Sequence, residues 1–417
     1  MYHYQIGISP EIHDEFVKKS ELANLLQSSA WANVKNQWDN EIVGFFKDEQ
    51  LVASASLLYR SLPFGFTMCY VARGPILDYK DKELLQFVFT SLKTIAKRKK
   101  SLFVKCDPSL VLSKTVIHKD CTTCSNPETK EIIQSLQAIG VIWSGLSTDM
   151  SQTIQPRIQA KIYKEGFEEN LPKSTKQAIR TALNKGIEIK YGREELLDDF
   201  TTLMRKTEVR KDIHLRNEEY YHQLLAAYEN SSFITIAYLD LEKRLEELES
   251  KLAKNKLAAE AFSQETKPGK IKNNEEERER LVQEIAFLNT HIESGVKVAP
   301  LSGTLTIEFG TTSVNLYAGM DDTFKQYNAP ILTWYCTAKQ SFDRGTLWQN
   351  LGGVEGDFKG GLYLFKSKYS PTIEEYIGEL TIPIHPLYPL GGQIYKLRKK
   401  LRKSIYRKHS YDTDITH

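Results

Sequence analysis

The chain has 417 residues, a length that predicts two or three folding units. Its formal net charge is only +3, which excludes a protein that binds polyanions over its whole surface. The five cysteines do not indicate a disulfide framework, and the CxxC pair of Cys121 and Cys124 lacks the second pair of a zinc site. No signal pattern opens the chain and no apolar run approaches the roughly 18–20 residues that span a bilayer, so we expect a cytoplasmic protein.

Hydrophobic periodicity predicts alternating strands and helices in the first third of the chain. Residues 42–60 are typical of two strands joined by a polar turn at 47–50, and the run 66–77 is rich in β-forming residues. Residues 81–100 have the apolar spacing of a helix, and 101–110 follow as a buried strand. This mixture predicts an α/β (α+β) fold.

The later part of the chain repeats this pattern. A basic helix is predicted over 174–185 with a stop at Gly186, then a strand over 187–191, helices from about Glu194 and Asn217, and a strand over 233–240. Two strands follow at 303–309 and 314–319, and a helix over 331–345 ends at a glycine. The two halves therefore indicate two similar α/β units.

A third element interrupts the second half. Apolar residues spaced four, three and four apart form two seams: Leu241, Leu245, Leu248 and Leu252, then Leu281, Ile285, Leu288 and Ile292. Helix-breaking residues lie between them at 267–270, and the other faces are dense in Lys, Arg and Glu. We predict an antiparallel two-helix coiled coil that projects from the body; two ordinary surface helices packed on a core are the alternative.

The C-terminal segment 396–409 carries eight Lys or Arg residues and no acidic residue. Leu397, Leu401 and Ile405 fall on one face of a helix, which predicts a basic amphipathic helix. Such a helix binds anionic lipid or RNA phosphates, or it is a plain solvated tail.

Common catalytic signatures are missing from the chain, among them GxSxG, the Walker A loop, HExxH and GxGxxG. Several weaker motifs occur in a definite order over nearly the whole length. They are 27–31 (QSSAW) with Lys35 and Trp38, Arg73-Gly74-Pro75, Cys106-Asp107-Pro108, 153–157 (TIQPR), 174–186, Arg210, Arg216, Tyr220 and Tyr221, 316–319 (LYAG), and 365–369 (FKSKY). Together they resemble the FemABX family of peptidoglycan bridge-peptide aminoacyltransferases, most closely the MurM type that adds serine or alanine, with the MurN type as the near alternative.

The resemblance implies two domains of N-acetyltransferase-like (GNAT) fold and an inserted arm. The first domain would span 1–152 together with about 383–417, and the second would span 153–238 and 298–382. The arm, 239–297, would be the coiled-coil hairpin and would bind tRNA.

The resemblance also implies a reaction. Serine or alanine would pass from seryl- or alanyl-tRNA to the stem-peptide lysine ε-amine of lipid II, with no cofactor and no metal. The basic C-terminal helix would hold the enzyme on the anionic inner face of the cell membrane, and the oligomeric state is open. Addition of the second branch residue, an acyl-CoA-dependent N-acyltransferase and a non-catalytic RNA-binding protein are the alternatives; the missing Q/RxxGxG/A pyrophosphate loop counts against acyl-CoA.

Three residues would lie at the acyl-transfer centre. Lys366 would stabilise the oxyanion or hold the 3′ end of the tRNA, unless it is only a surface lysine. Asp107 would orient the attacking amine and accept its proton, or would only form an Asp-Pro turn. Tyr317 would offer a hydroxyl near the acyl group. The segment 365–371 (FKSKYSP) departs from the family's FKxGF, which leaves the loop after Lys366 open.

Five residues would bind the lipid precursor. Lys35, Arg216 and Tyr220 match family positions that bind its phosphate and sugar, because a pyrophosphate needs cations and several donors. Trp38 would stack on a sugar or belong to the core. Phe103 is inside a strand, so core packing is its default interpretation.

Overall fold

The computed structural model describes residues 1–117, 123–150 and 152–390. Its strands are β1 (Tyr2–Ile6), β2 (Asp39–Lys47), β3 (Gln50–Ser61), β4 (Thr67–Val71), β5 (Ile76–Leu77), β6 (Ser101–Cys106), β7 (Val111–Val116), β8 (Thr123–Ser125), β9 (Ile142–Trp143), β10 (Ile158–Tyr163), β11 (Ile187–Gly192), β12 (Ser232–Asp240), β13 (Val298–Phe309), β14 (Thr312–Met320), β15 (Trp348–Gly353), β16 (Thr372–Tyr376) and β17 (Leu380–Pro383). Its α-helices are α1 (Pro10–Lys19), α2 (Ser29–Val34), α3 (Lys82–Arg98), α4 (Pro127–Ala138), α5 (Lys173–Asn184), α6 (Leu197–Lys211), α7 (Glu218–Ala227), α8 (Leu241–Glu260), α9 (Pro268–Glu293), α10 (Ala329–Asp343) and α11 (Gly361–Lys366).

The first sheet has strand order β1-β2-β3-β4-β6-β17-β9, and β5 pairs with β3. The two strands predicted within 42–60 are the antiparallel pair β2 and β3, whose register joins Lys47 to Gln50 across a two-residue turn. The helix predicted over 81–100 is α3, which buries its apolar face on this sheet. The Asp81 side chain accepts the Leu84 N–H at 3.0 Å and so caps the start of α3.

The second sheet has strand order β11-β12-β13-β14-β15-β10-β16-β7-β8. At two places a strand belongs to the sheet of the other domain than the one expected from the resemblance. β7, within 1–152, pairs with β16 of the second sheet, and β8 pairs with β7. β17, which begins before 383, pairs with β6 of the first sheet. The sequence could not show this, because alternation identifies a strand but not its neighbour.

The predicted hairpin is formed by α8 and α9. Four seam residues are buried, Leu241, Leu248, Leu281 and Leu288, and the other four are partly buried and pack against the same cluster. The placement of its turn was wrong: Pro268 is the first residue of α9, and the helices are joined by 261–267. A proline fits the first helical position, because its φ is preset and the missing N–H has no partner there.

Polar contacts fix the hairpin at its root and along its length. At the root, Arg244 pairs with Glu284 at 3.0 Å, and its guanidinium also lies 3.5 Å from the carbonyl of Asn184, the last residue of α5. Farther out, the amides of Asn255 and Asn274 each donate to the other's backbone carbonyl, at 3.0 and 3.1 Å. A paired polar residue inside a seam specifies one register of the two helices. The mutual seam favours a hairpin arm over two separate surface helices.

Gln27, the glutamine of the QSSAW motif, lies under the turn that follows β4. Its amide donates to the Ala72 carbonyl at 2.6 Å, and its oxygen accepts the Ser56 N–H at 3.0 Å. A Cβ on Gly74 would lie 2.6 Å from the Gln27 side chain, so glycine is required there. The carbonyl of Gln27 is in turn bonded to the ring of the buried His13.

Some expectations fall partly or wholly beyond the described ranges. Cys121 and the basic segment 396–409 lie outside the described ranges. Cys124 lies within them and is exposed. Within those ranges no helix is long and apolar enough to cross a membrane. In the same part of the chain, no three His, Cys, Asp or Glu side chains gather as a metal site requires. The expected absence of metal and cofactor stays a prediction.

We expect His13 to make the free energy of unfolding depend on pH. Burial lowers the pKa of His13 from its usual 6.5, against the opposing bond to the Gln27 carbonyl. The unfolded chain therefore binds a proton that the folded chain resists, so stability is complete above the unfolded-state pKa and is lost as the pH falls through the folded-state pKa.

The measurement is thermal unfolding of wild type and His13→Asn between about pH 7.5 and 5, where an ordinary histidine titrates. The variant should show the shallower dependence of Tm on pH. His222→Asn removes an exposed histidine and should keep the wild-type slope. Equal slopes for all three proteins would contradict the expectation.

Candidate functional site

Asp107 and Arg73 meet where two parallel strands of the first sheet end. β4 and β6 are paired in parallel, so their carboxyl ends reach the same edge. Asp107 directly follows β6 and is only 1% exposed. It accepts the backbone N–H of Arg73 at 2.8 Å and the hydroxyl of Tyr70 at 3.1 Å. Arg73 has a φ of +54°, a left-handed conformation that aims its N–H at the carboxylate.

The Asp107 carboxyl is poised to exchange a proton near neutral pH. Burial raises its pKa to about 6, although the Arg73 charge and N–H act in the opposite direction. A carboxylate with this pKa is ionised at pH 7 and is still basic enough to take a proton. Asp107 is thus more than part of an Asp-Pro turn: its carboxyl group is buried and hydrogen-bonded at the end of a strand.

Arg73 also connects Asp107 to the second sheet. Its guanidinium donates to the Pro156 carbonyl at 2.7 Å and lies 5.0 Å from the centre of the Tyr376 ring. Pro156 packs directly on Gly353, where an added Cβ would lie 2.5 Å from the proline ring. The Gly353 carbonyl accepts a hydrogen bond from Lys366. A continuous chain of contacts therefore joins the two main candidate catalytic residues.

Lys366 is the last residue of α11 and is a buried lysine, 5% exposed, rather than a surface one. Its Nζ donates to the Gly353 carbonyl at 2.7 Å. Burial lowers the pKa of Lys366 to about 7; the Glu355 carboxylate opposes this shift and the charge of Lys211 adds to it. Both the ammonium and the amine are therefore populated at neutral pH.

The loop after Lys366 does not require the glycine that the family sequence has. Lys368 lies in a short 3-10 helix, Ser367–Tyr369, and the left-handed residue is Ser370, with a φ of +46°. The loop is held by the Thr175 hydroxyl, which donates to the Lys368 carbonyl at 2.7 Å, and by the buried ring of Tyr369. The departure from FKxGF thus leaves Lys366 firmly placed.

An open cavity of about 570 Å³ lies beside α11, a volume in the range of small-molecule sites. Glu355 lines this cavity and also caps α11. Its carboxylate accepts the N–H groups of Leu362 at 3.1 Å and Tyr363 at 2.9 Å, at the start of the helix that carries Lys366. The cavity is lined by Thr148, Asp149, Met150, Glu355, Gly356 and Asp357.

Tyr317 lies on a strand that separates from its neighbour. β14 and β15 are paired in parallel only from Thr312 to Val314, opposite 348–350, and then diverge. Beyond that point β14 carries Tyr317 and β15 ends at Gly353. The Tyr317 ring packs edge-on against Tyr220 at 6.1 Å and against Tyr221 at 5.1 Å. The predicted catalytic tyrosine thus groups with the predicted substrate-binding residues.

Lys35 and Arg216 flank the same aromatic ring. Lys35 directly follows α2, and its Nζ donates to the Tyr220 hydroxyl at 2.7 Å and lies 4.3 Å from the Trp31 ring centre. The Arg216 guanidinium lies 4.8 Å from the Tyr220 ring centre. Within the described ranges neither cation has a carboxylate within ion-pair distance. Burial, then the charge of Arg216, lowers the pKa of Lys35 to about 8, so the pair is suited to an anion.

Trp38 and Phe103 belong to one cluster but differ in their exposure. Trp38 is half-buried, 6.4 Å from the Tyr70 ring and 5.5 Å from the Arg60 guanidinium, so it links the Lys35 and Asp107 regions. Phe103 is 3% exposed and packs in a core cluster with Tyr70. Phe103 therefore supports the wall of the site and offers no surface to a substrate.

Sequence reasoning missed several residues of this arrangement. Arg73 was part of a motif but had no assigned role, and Tyr70, Pro156, Gly353 and Glu355 had none. Alternating β patterns gave no sign that β4 and β6 run parallel, which is what brings Arg73 to Asp107. The usable signal was a motif arginine directly after a buried strand.

The family model for the FemAB family matches residues 8–396. The chain belongs to the FemAB family. It is 26% identical to the lipid II:glycine glycyltransferase of Staphylococcus aureus strain MRSA252, covering 97% of this chain and 99% of that protein, and the enzyme of strain USA300 gives the same values. A crystal structure of FemX superposes with a TM-score of 0.73 at 24% identity, over 93% of this chain and 99% of that one. The predicted aminoacyltransferase class is confirmed, and so is the α/β fold with two sheets and an inserted helical hairpin.

We expect Arg73→Met to raise the pKa of Asp107 above its value of about 6, because the lost guanidinium charge favoured the ionised carboxylate. The measurement is a pH titration of the carboxyl ¹³C signal in aspartate-labelled protein, assigned with Asp107→Asn. Arg205→Met removes an exposed arginine on α6 and serves as the control. A midpoint that is the same in wild type and Arg73→Met would show that the guanidinium does not act on Asp107.

Proposed function

We propose that this enzyme transfers serine or alanine from aminoacyl-tRNA to the stem-peptide lysine ε-amine of lipid II, the first step of an interpeptide branch. The observation that carries the proposal is the contact chain from Asp107 through Arg73, Pro156 and Gly353 to Lys366. It connects a buried carboxyl and a buried lysine, both able to exchange protons near neutral pH. Acyl transfer from an ester to an amine needs a base and a group that stabilises the oxyanion.

The roles of the two residues follow from their chemistry. The ε-amine nitrogen attacks the ester carbonyl and gives a proton to the Asp107 carboxylate. The protonated Lys366 stabilises the tetrahedral oxyanion, after which the bond from the acyl carbon to the tRNA 3′ oxygen breaks and that oxygen takes the proton from the Asp107 carboxyl, which returns Asp107 to its ionised form. No covalent enzyme intermediate is needed. The cavity beside Glu355 offers room for the small aminoacyl group.

The precursor's pyrophosphate is the anion proposed for Lys35 and Arg216. Two neighbouring cations without carboxylate partners in the described part of the chain repel one another, and a bound pyrophosphate would remove that cost and raise the pKa of Lys35 again. Tyr220 and Trp31 supply a hydroxyl and an aromatic face beside it. Lipid II therefore fits at one end of the contact chain, with its amine directed toward Asp107.

The hairpin is proposed to contact the tRNA. Its outer faces carry exposed cations that suit a sequence-independent, salt-dependent contact with phosphates. The paired asparagines and the root contact of Arg244 hold the arm in one register on the body. The exposed cations include Lys251, Lys254, Lys256, Lys270 and Lys272.

Glycine is the second candidate amino acid, because the Staphylococcus aureus relatives are named glycyltransferases. The deciding assay combines purified protein, lipid II and separately charged seryl-, alanyl- and glycyl-tRNA, with the mass of the lipid product as readout. We expect the mass gain of one serine or alanine. A gain of glycine replaces the donor, a gain only on lipid II that already bears one residue moves the enzyme to second-position extension, and no gain with any donor refutes the proposal.

We expect Lys366→Ala to lower kcat about 10²–10³-fold, the usual loss when one oxyanion-stabilising donor is removed. Because Asp107 acts ionised and Lys366 acts protonated, kcat/KM should rise through about pH 6 and fall through about pH 7 in wild type. Lys366→Arg keeps its charge to much higher pH and should lose the alkaline limb.

The matched control is Lys368→Ala, which removes an exposed lysine from the same loop and should keep both the rate and the pH profile. Full activity in Lys366→Ala would remove the catalytic role of this residue. An alkaline limb that persists in Lys366→Arg would assign that limb to another group.

A further inference from the structure

We propose that the turn between β3 and β4, with the segment after β17, docks on an anionic lipid bilayer. The surface, called here the docking tip, consists of Phe64, Phe66, Lys97, Lys100, Leu387 and Leu390. This proposal rests on the proposed function, since an enzyme whose acceptor is anchored in lipid must bind that acceptor at the bilayer surface. The occupant is the bilayer itself, independent of lipid II and of tRNA.

Phe64 is the central observation. It is 93% exposed and is the middle residue of the turn 63–65, which follows β3. Its φ of +63° is a left-handed conformation that an aromatic residue seldom adopts and that glycine or asparagine fits better. An exposed, unfavourably held aromatic ring has no role in the fold, whereas aromatic side chains are favoured where protein meets the membrane interface.

The apolar surface continues beyond Phe64. Phe66 is half-buried and its ring lies 5.5 Å from that of His385, which places the segment after β17 beside the turn. In that segment Leu387 and Leu390 are 45% and 52% exposed. Phe64, Leu387 and Leu390 thus belong to two segments that the contact between Phe66 and His385 holds side by side, and neighbouring exposed apolar side chains mark an interaction surface.

Basic residues lie next to the patch. The Thr67 N–H donates to the Lys100 carbonyl at 3.1 Å, so the end of α3 lies against the same turn. Lys97 and Lys100 are exposed, while the neighbouring Arg98 and Lys99 pair with Glu41 and Asp39. Four bases against two acids leave a local positive charge suited to anionic headgroups.

The sequence beyond the patch has the same character. The described chain reaches Leu390 at the docking tip, and residues 396–409 add eight Lys or Arg without an acid. Clustered cations beside apolar side chains match an anionic bilayer better than a second copy of this basic surface, because like charges would repel. Charge complementarity therefore selects the bilayer.

The docking tip also lies within reach of the proposed pyrophosphate site. Arg60, four residues before Phe64, contacts the Trp38 ring, and four extended residues span at most about 14 Å. The Trp38 N–H donates to the Lys35 carbonyl at 2.8 Å. The proposed pyrophosphate site therefore lies near the docking tip, as an acceptor held at the bilayer surface requires.

The test is co-sedimentation of the full-length protein with vesicles that contain phosphatidylglycerol or only phosphatidylcholine, without lipid II or tRNA. Wild type should bind the anionic vesicles, and Phe64→Asn should lower the partition coefficient roughly tenfold, as expected for one lost aromatic insertion. Asparagine tolerates the left-handed φ, so the variant should keep the wild-type Tm. Lys97→Gln with Lys100→Gln should weaken binding to anionic vesicles alone.

Leu257→Asn, which removes a 64% exposed leucine from the hairpin, is the matched control and should bind as wild type does. The proposal is overturned if Phe64→Asn binds as well as wild type, or if Leu257→Asn loses as much. It is also overturned if wild type dimerises in lipid-free buffer and Phe64→Asn does not, because the tip would then be a protein interface. Since no acceptor or donor is present, this outcome and that of the transfer assay are independent.

Discussion

Arg73 forms hydrogen bonds to both parts of the candidate site, the Asp107 side and the Lys366 side. Its backbone N–H holds Asp107 at the edge of the first sheet, and its guanidinium holds the Pro156 carbonyl at the start of the second. Both contacts depend on the left-handed turn that Gln27 supports from below. A long side chain with a permanent charge is suited to this position, since a shorter or neutral residue would take the guanidinium from the Pro156 carbonyl and its charge from the neighbourhood of the Asp107 carboxylate. The relative placement of Asp107 and Lys366 therefore depends on one residue that need not touch the substrate.

Burial shifts the pKa values of the titratable residues in the candidate site. Lys35 and Lys366 are both lysines whose pKa is lowered by removal from water, and neither forms an ion pair with a carboxylate in the described part of the chain. Such groups are costly in the empty protein and favourable once an anion arrives. The same burial raises the pKa of Asp107, so one physical cause moves acid and base toward neutral pH from opposite sides.

The elements were largely predictable because their periodicity is local. The strands within 42–60, the helix at 81–100 and the seams of the hairpin all follow from spacing alone. Pairing was not predictable, since β7, β8 and β17 join sheets that their positions in the chain do not suggest. For the site, the motifs marked Lys35, Asp107 and Lys366, but their environment depends on contacts between distant segments. Three features became visible only in the three-dimensional structure: the burial of Lys366, the contacts of Arg73 with both sheets, and the grouping of Tyr317 with Tyr220.

The hairpin begins and ends at neighbouring positions of one ladder. Asp240, the last residue of β12, is paired with Val298, the first residue of β13, and the Leu241 N–H donates to the Lys297 carbonyl at 2.9 Å. In topological terms the whole arm is the loop of a β-hairpin, and the cost of closing a loop grows only slowly with its length. Evolution can therefore lengthen, shorten or exchange the arm by whole helical turns while the second sheet stays the same. The arm and the sheet that carries it are thus free to diversify separately.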